Sequence, residues 1–183
     1  MRIALGITGS SGAVFALEFL NRCSADVFLV VSTWGKKLLQ EELGMQATDL
    51  AKYAKKIFSD EDLGAPLSSG TNHIDACVIL PCSTSTLGKI ASGIGDTLIT
   101  RMAQVALKER TKLVLCIRET PLSTITLEQC AALSRSGVFI MPISPAMYYK
   151  PATLNELVSA YVDKVLAVAG VKELQGWRSE DLE

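Results

Sequence analysis

Short unbroken apolar runs recur along the chain, separated by longer stretches in which apolar residues return at every third or fourth position. The runs at 3–7, 26–32, 76–81, 112–118 and 138–142 do not alternate with polar residues, the pattern of strands buried on both faces. Between them the spacing predicts helices. Thr126-Leu127-Glu128-Gln129 and Thr153-Leu154-Asn155-Glu156 each fit a capping box, in which the third residue after the cap reaches back to it. After Thr153 the apolar stripe Leu154, Leu157, Val158, Tyr161, Val162, Val165 and Leu166 predicts a helix packed on one side. Residues 98–107, with Met102, Val105 and Ala106, carry more apolar surface than one sheet face needs, which points to contacts between subunits. Alternation of strands and helices predicts an α/β fold with a mostly parallel sheet and crossover helices. One domain is expected over residues 1–170, followed by a polar tail at 171–183. Residues 59–72, rich in Ser, Gly, Asp and Pro, read as a long irregular connection, a kind of segment that often carries function.

Composition narrows the function classes. With 183 residues, 49% of them hydrophobic and 20% charged, and a formal net charge of -1, the chain has no basic surplus for nucleic acid. No apolar run is long enough for a membrane span and no cleavable signal pattern precedes the first strand, so a cytoplasmic protein is expected. The five cysteines, Cys23, Cys77, Cys82, Cys116 and Cys130, are scattered, odd in number and without a C-x-x-C pair, as expected of reduced thiols that mostly fill the core.

In an open parallel sheet, ligands bind beyond the carboxyl ends of the strands. The first strand delivers Thr8-Gly9-Ser10-Ser11-Gly12 there, the second Ser32, and the third Pro81-Cys82-Ser83-Thr84-Ser85-Thr86, read as a polar loop that opens a helix. Hydroxyls and backbone amides without charge suit a heterocycle edge or a phosphate better than a metal. The glycines also fit a simple tight turn, since the full G-x-G-x-x-G spacing is missing. Arg118 and Glu119 end the fourth strand. They either pair with each other or act as a phosphate-holding fork and a proton carrier. Tyr148, Tyr149 and Lys150 follow the last strand. Lys164 on the final helix and Glu42 beside Glu41 are residue types that ordinarily face solvent.

These motifs together resemble the UbiX-type flavin prenyltransferases, within the flavoprotein group that also holds cysteine decarboxylases. The resemblance runs through Gly6 to Gly12, Ser32 with Glu42 ten residues on, Ala65-Pro66 before Ser68-Ser69-Gly70, and Pro81-Cys82-Ser83 with Thr86-Leu87. It continues through Thr100-Arg101, Ala106-Leu107-Lys108-Glu109-Arg110, Arg118-Glu119-Thr120-Pro121-Leu122 and residues 145–151. It implies a Rossmann-like three-layer αβα fold. FMN is then expected at Gly9, Ser10, Ser11, Ser32, Ser83, Thr84, Ser85, Thr86 and Arg118. The implied reaction joins a dimethylallyl group from dimethylallyl monophosphate to N5 and C6 of reduced FMN, adding a fourth ring. Tyr148 and Lys164 match the positions that bind the allylic phosphate, with Lys108 and Arg118 completing its cage. Glu42 and Glu119 match the acidic positions, and Ser11 the active-site hydroxyl. No metal is expected, since cations and phenols can stabilise the leaving phosphate. A UbiD-type decarboxylase is the implied recipient of the prenylated FMN, and a homododecamer the implied assembly.

Departures from the family pattern are Ser10 for a more usual alanine, which adds a hydroxyl near the flavin, Tyr149 for histidine, and Lys164 for arginine, which keeps charge but loses the bidentate fork. Trp34 and Trp177 are either packing or aromatics around the prenyl group. Two alternatives share the fold: a cysteine decarboxylase, and a carrier of prenylated FMN that makes none. The decarboxylases use an active-site histidine and a Pro-x-Met-Asn type segment. Here the only histidine, His73, falls in the irregular connection, and Met147 is followed by Tyr148. The choice between monophosphate and diphosphate donors stays open.

Overall fold

A computed structural model describes residues 1–174. Six strands, β1 (Arg2–Ile7), β2 (Asp26–Val31), β3 (Lys56–Ser59), β4 (Ala76–Cys82), β5 (Lys112–Ile117) and β6 (Phe139–Pro142), form one sheet in the order β3-β2-β1-β4-β5-β6. Every neighbouring pair is parallel. The helices are α1 (Ala13–Arg22), α2 (Thr33–Leu43), α3 (Thr84–Ala91), α4 (Leu98–Glu109), α5 (Thr124–Arg135) and α6 (Leu154–Ala169).

Successive side chains of a strand point to opposite faces, so an unbroken apolar run feeds two cores. Ile3, Leu5 and Ile7 of β1 pack with Phe15 and Phe19 of α1, Leu39 of α2 and Val162 and Leu166 of α6. On the other face Ala4, Val30 and Ile79 pack with Leu87 of α3, Leu98 and Met102 of α4 and Leu133 of α5. The result is the expected αβα sandwich. On the first face Arg22 and Lys172 both hold Asp163, at 2.7 and 2.8 Å, tying α1 to α6. The Tyr161 hydroxyl donates to the Met141 carbonyl at 3.0 Å, linking α6 to β6.

Five local expectations change. Residues 56–59 form β3, an edge strand of four half-exposed residues, too short and too polar at its ends to show as an apolar run. The 59–72 connection is broken by a 3-10 turn at Pro66–Ser68. Helix α5 is capped by Ser123, not Thr126, with the Ser123 Oγ accepting from the Thr126 amide at 3.2 Å. Thr153 does cap α6, but the Glu156 carboxylate reaches one residue further back, to the Ala152 amide at 2.7 Å. Finally, Pro81 and Cys82 belong to β4, so the expected six-residue polar loop contracts to the single junction residue Ser83.

Candidate functional site

β1 and β4 are neighbours, but the helices that follow them, α1 and α3, lie on opposite faces of the sheet. That divergence is the switch point at which open α/β sheets bind ligands. Above it lies a cleft of about 620 Å³ whose walls include Thr8, Gly9, Ser32, Trp34, Ser83 and Thr86. A volume of this size fits a cofactor-sized ligand.

Buried hydroxyls build the floor. Thr8 Oγ1 donates to the Pro81 carbonyl at 2.8 Å and accepts from the Ser83 amide at 2.8 Å, pinning the end of β1 to the end of β4. Ser10 Oγ donates to the Arg118 carbonyl at 2.7 Å. Ser10 is 5% exposed, and its hydroxyl fastens the β1 turn to the end of β5. Ser32 and Ser83 are the N-caps of α2 and α3, accepting from the amides of Gly35 at 3.0 Å and Thr86 at 3.3 Å. Two helix N-termini therefore face one cleft. Their partial positive charge suits a phosphate.

Gly9 is required by close approach: a Cβ there would lie 2.3 Å from the Cβ of Trp34. Trp34 is 63% exposed on the cleft wall, with the Lys37 ammonium 5.1 Å from its ring centroid. Gly9→Ala must displace the first turn of α2. We expect a loss of about 1–3 kcal/mol in stability and about tenfold weaker binding of the cleft's ligand, one decade for each 1.4 kcal/mol of distortion. Thermal unfolding and a ligand titration measure both; unchanged affinity would show that the wall yields without moving the cleft.

Glu42 is exposed, yet its carboxylate is not left to solvent alone. From the last turn of α2 it accepts from the Gly12 amide at 2.9 and 3.2 Å and from the Ala13 amide at 2.8 Å. Ser11 is exposed on the turn between Gly9 and these amides. Arg118 follows the last residue of β5 and is not among the residues that wall the cleft. Its Nε is buried with no hydrogen-bond partner, and among the described residues it forms no ion pair. Glu119 instead accepts from the Thr120 amide through Oε1 at 3.1 Å, so the mutual pairing of Arg118 and Glu119 does not occur. A buried donor left without a partner carries a free-energy cost, which an anionic or carbonyl ligand would remove.

A Flavoprotein family model matches residues 1–167. The chain belongs to this family. The flavin prenyltransferase UbiX of Thermoplasma acidophilum is 44% identical over 172 residues, 93% of this chain and 96% of the relative. That of Methanocaldococcus jannaschii is 39% identical over 173 residues, covering 93% and 94%. Among solved structures, AnUbiX in complex with FMN and dimethylallyl pyrophosphate superposes with a TM-score of 0.91 at 34% identity, covering 97% of this chain and 98% of that one. A dodecameric FMN-dependent UbiX-like decarboxylase from Escherichia coli also reaches 0.91, at 38% identity over 97% and 100%. The neutral hydroxyls and helix N-termini of the cleft suit a phosphate-bearing ligand.

The remaining expected residues of this flavoprotein scatter. Tyr148, on the segment between β6 and α6, is 58% exposed, its ring centroid 4.4 Å from that of Tyr149. A hydrogen bond from Tyr148 raises the Tyr149 phenol above its ordinary pKa. Lys164 is exposed on α6, next to the Asp163 that binds Arg22. Lys108 is the clearest departure. It sits in the last turn of α4, which leads into the start of β5, and its ammonium pairs with Glu109 at 2.6 Å. At about 3.3 Å per residue, the length of β5 alone puts about 20 Å between that end of the sheet and Arg118. Within one chain, then, Lys108 and Arg118 do not share a cage. Trp177 lies outside the described residues. Cys82 is fully buried, and burial pushes its thiol far above the ordinary range, as it pushes Cys77 and Cys116 to about 12; none is a nucleophile.

Two wall residues, Asp60 and Thr97, escaped the sequence, and the capping role of Thr100 escaped with them. Asp60 accepts from the Ile99 amide at 2.9 Å, and Thr97 and Thr100 cap α4 reciprocally. The signal was a hydroxyl pair three apart, hidden because threonine stands where a capping box ordinarily has glutamate.

Proposed function

We propose that the protein transfers a dimethylallyl group from dimethylallyl monophosphate to reduced FMN, giving prenylated FMN for a UbiD-type decarboxylase. Arg118 carries the reading. It is a guanidinium with a buried, unpartnered Nε just past the end of β5, on the same carboxyl side of the sheet as the cleft, beside a carboxylate that it does not neutralise. Similarity to the flavin prenyltransferases supports the same reading. Reduced FMN, when bound, supplies the electron-rich ring that takes the allylic carbon.

The protein's own groups do the rest. Gly9, Ser11 and Ser32 line or adjoin the ring and ribityl side, with Ser83, Thr84, Ser85 and Thr86 offering the first turn of α3 to the phosphate of FMN. Arg118 holds the allylic phosphate and stabilises the charge that grows on the bridging oxygen as the C–O bond breaks; Tyr148 and Lys164 add a donor and a cation. Glu119 is held through Oε1, which leaves Oε2 to accept and return a proton. Ser11 and the amide-anchored Glu42 assist that transfer from the other side of the turn. Buried free thiols agree with a reducing, cytoplasmic setting. No observation favours a cysteine decarboxylase: His73 contacts Asp75 at the amino end of the sheet, away from the cleft.

Anaerobic incubation with reduced FMN and dimethylallyl monophosphate, with the diphosphate run in parallel, tests the reading. A mass gain of one prenyl unit on the flavin is expected. Tight FMN binding without that gain would overturn it, and retention of premade prenylated FMN alone would make the protein a carrier.

In this reading Lys108 serves the site of an adjacent copy, in a homododecamer like that of the Escherichia coli relative. Arg118→Met and Lys108→Ala proteins, each impaired alone, are then expected to recover activity when co-assembled, because some sites receive both native residues. Activity no greater than the sum of the two would remove Lys108 from the phosphate cage.

A further inference from the structure

The cleft wall is built mostly from hydroxyls and amides, and it carries one ammonium, Lys89, and one carboxylate, Asp60. The Lys89 ammonium is taken by Asp96, which is not part of the wall, at 2.7 Å. Asp60 forms no ion pair among the described residues. It follows Ser59, the last residue of β3, and so stands at the carboxyl end of a strand like the other residues that build the cleft floor. The first two amides of α4 hold it: its carbonyl accepts from Leu98 at 2.7 Å and its Oδ1 from Ile99 at 2.9 Å. Oδ2 has no hydrogen-bond partner among the described residues. One oxygen therefore fixes the carboxylate and the other is left open. A carboxylate oxygen only accepts hydrogen bonds, and its charge repels a phosphate. The part of a ligand that meets Asp60 must be uncharged and must carry donors.

We propose that Asp60 is a specificity residue that accepts, through Oδ2, hydrogen bonds from the hydroxyl chain of the flavin. The inference rests on the flavin reading of the cleft, and it adds the part of the ligand that is recognised. That chain is the uncharged, donor-rich portion of FMN next to its phosphate. With the phosphate drawn to the helix N-termini capped by Ser32 and Ser83 and repelled by Asp60, the ligand enters the cleft in one direction only.

Titration of the flavin-free, full-length protein with riboflavin and with lumiflavin tests this. Lumiflavin keeps the ring and its N–H groups but lacks the hydroxyl chain. Asp60→Asn keeps an oxygen for the Ile99 amide and loses the charge. It is expected to bind riboflavin about tenfold more weakly than the wild type, the scale of a hydrogen bond to a charged acceptor, and lumiflavin with unchanged affinity. Asp60→Ala, which removes both oxygens, is expected to show the same contrast and serves if the asparagine variant fails to fold. Equal losses for the two flavins would mean that Asp60 meets the ring or only shapes the cleft through α4, and either overturns the proposal, as does unchanged affinity for riboflavin. A wild type that prenylates FMN while its Asp60 variants show no such contrast loses only this inference. A protein that shows the contrast but fails to prenylate loses only the transferase reading.

Discussion

Replacing Arg118 by methionine is expected to raise the melting temperature of the ligand-free protein by roughly 2–4 °C while cutting prenyl transfer by about 10²–10³-fold. The two effects have one cause. The Arg118 Nε is buried with no partner. Leaving such a donor unsatisfied costs about 1–3 kcal/mol, and methionine fills a similar volume without the polar atom. The same atom is available to the leaving phosphate only because nothing in the fold uses it. Calorimetric melting of the apoprotein and steady-state prenylation measure the two halves. A lower melting temperature would mean that Arg118 is a structural residue whose partner forms in the assembly, and the argument from its orphaned Nε would fall.

Glu119→Gln is expected to slow turnover by about 10²–10⁴-fold, the usual contribution of a positioned acid or base, with FMN affinity and melting temperature close to the wild type. Glu119 is exposed and its recorded contact is the amide of its neighbour Thr120, so glutamine keeps the contact and loses only the proton-carrying function. Single-turnover flavin absorbance separates binding from chemistry. Near-normal turnover would leave Glu42 as the principal proton carrier.

The strands were legible because burial on both faces leaves an apolar run with no competing period; the runs at 3–7 and 112–118 match the observed strands to within a residue at each end. Where hydroxyls cluster, the sequence admits several starts for one helix, and Ser123 won over Thr126 because the chain turns three residues earlier. Pro81 and Cys82 were also read as the start of a polar loop because proline suggests a break, yet both are buried in β4 and Cys82 pairs with Ile117. The contact of Glu42 with the Gly12 amide was invisible for another reason: it joins two helices, and no local period encodes it. The position of Lys108 could have been foreseen. It precedes the first residue of β5 by a few positions, which places it at the amino end of the sheet, whereas family likeness names a residue without saying which copy of the chain delivers it.

The register between β1 and β4 ends at Gly6 and Ile79, and that between β4 and β5 slips between Ile79 and Cys82. Beyond those points the Thr8 amide still reaches the Pro81 carbonyl and Cys82 still pairs with Ile117, and the Thr8 and Ser10 hydroxyls are cross-pins that hold the three strand ends together. A flavin arriving there has no strands to pry apart. Its binding free energy is not drained by loosening the sheet, and the gap it enters is already held at a fixed width.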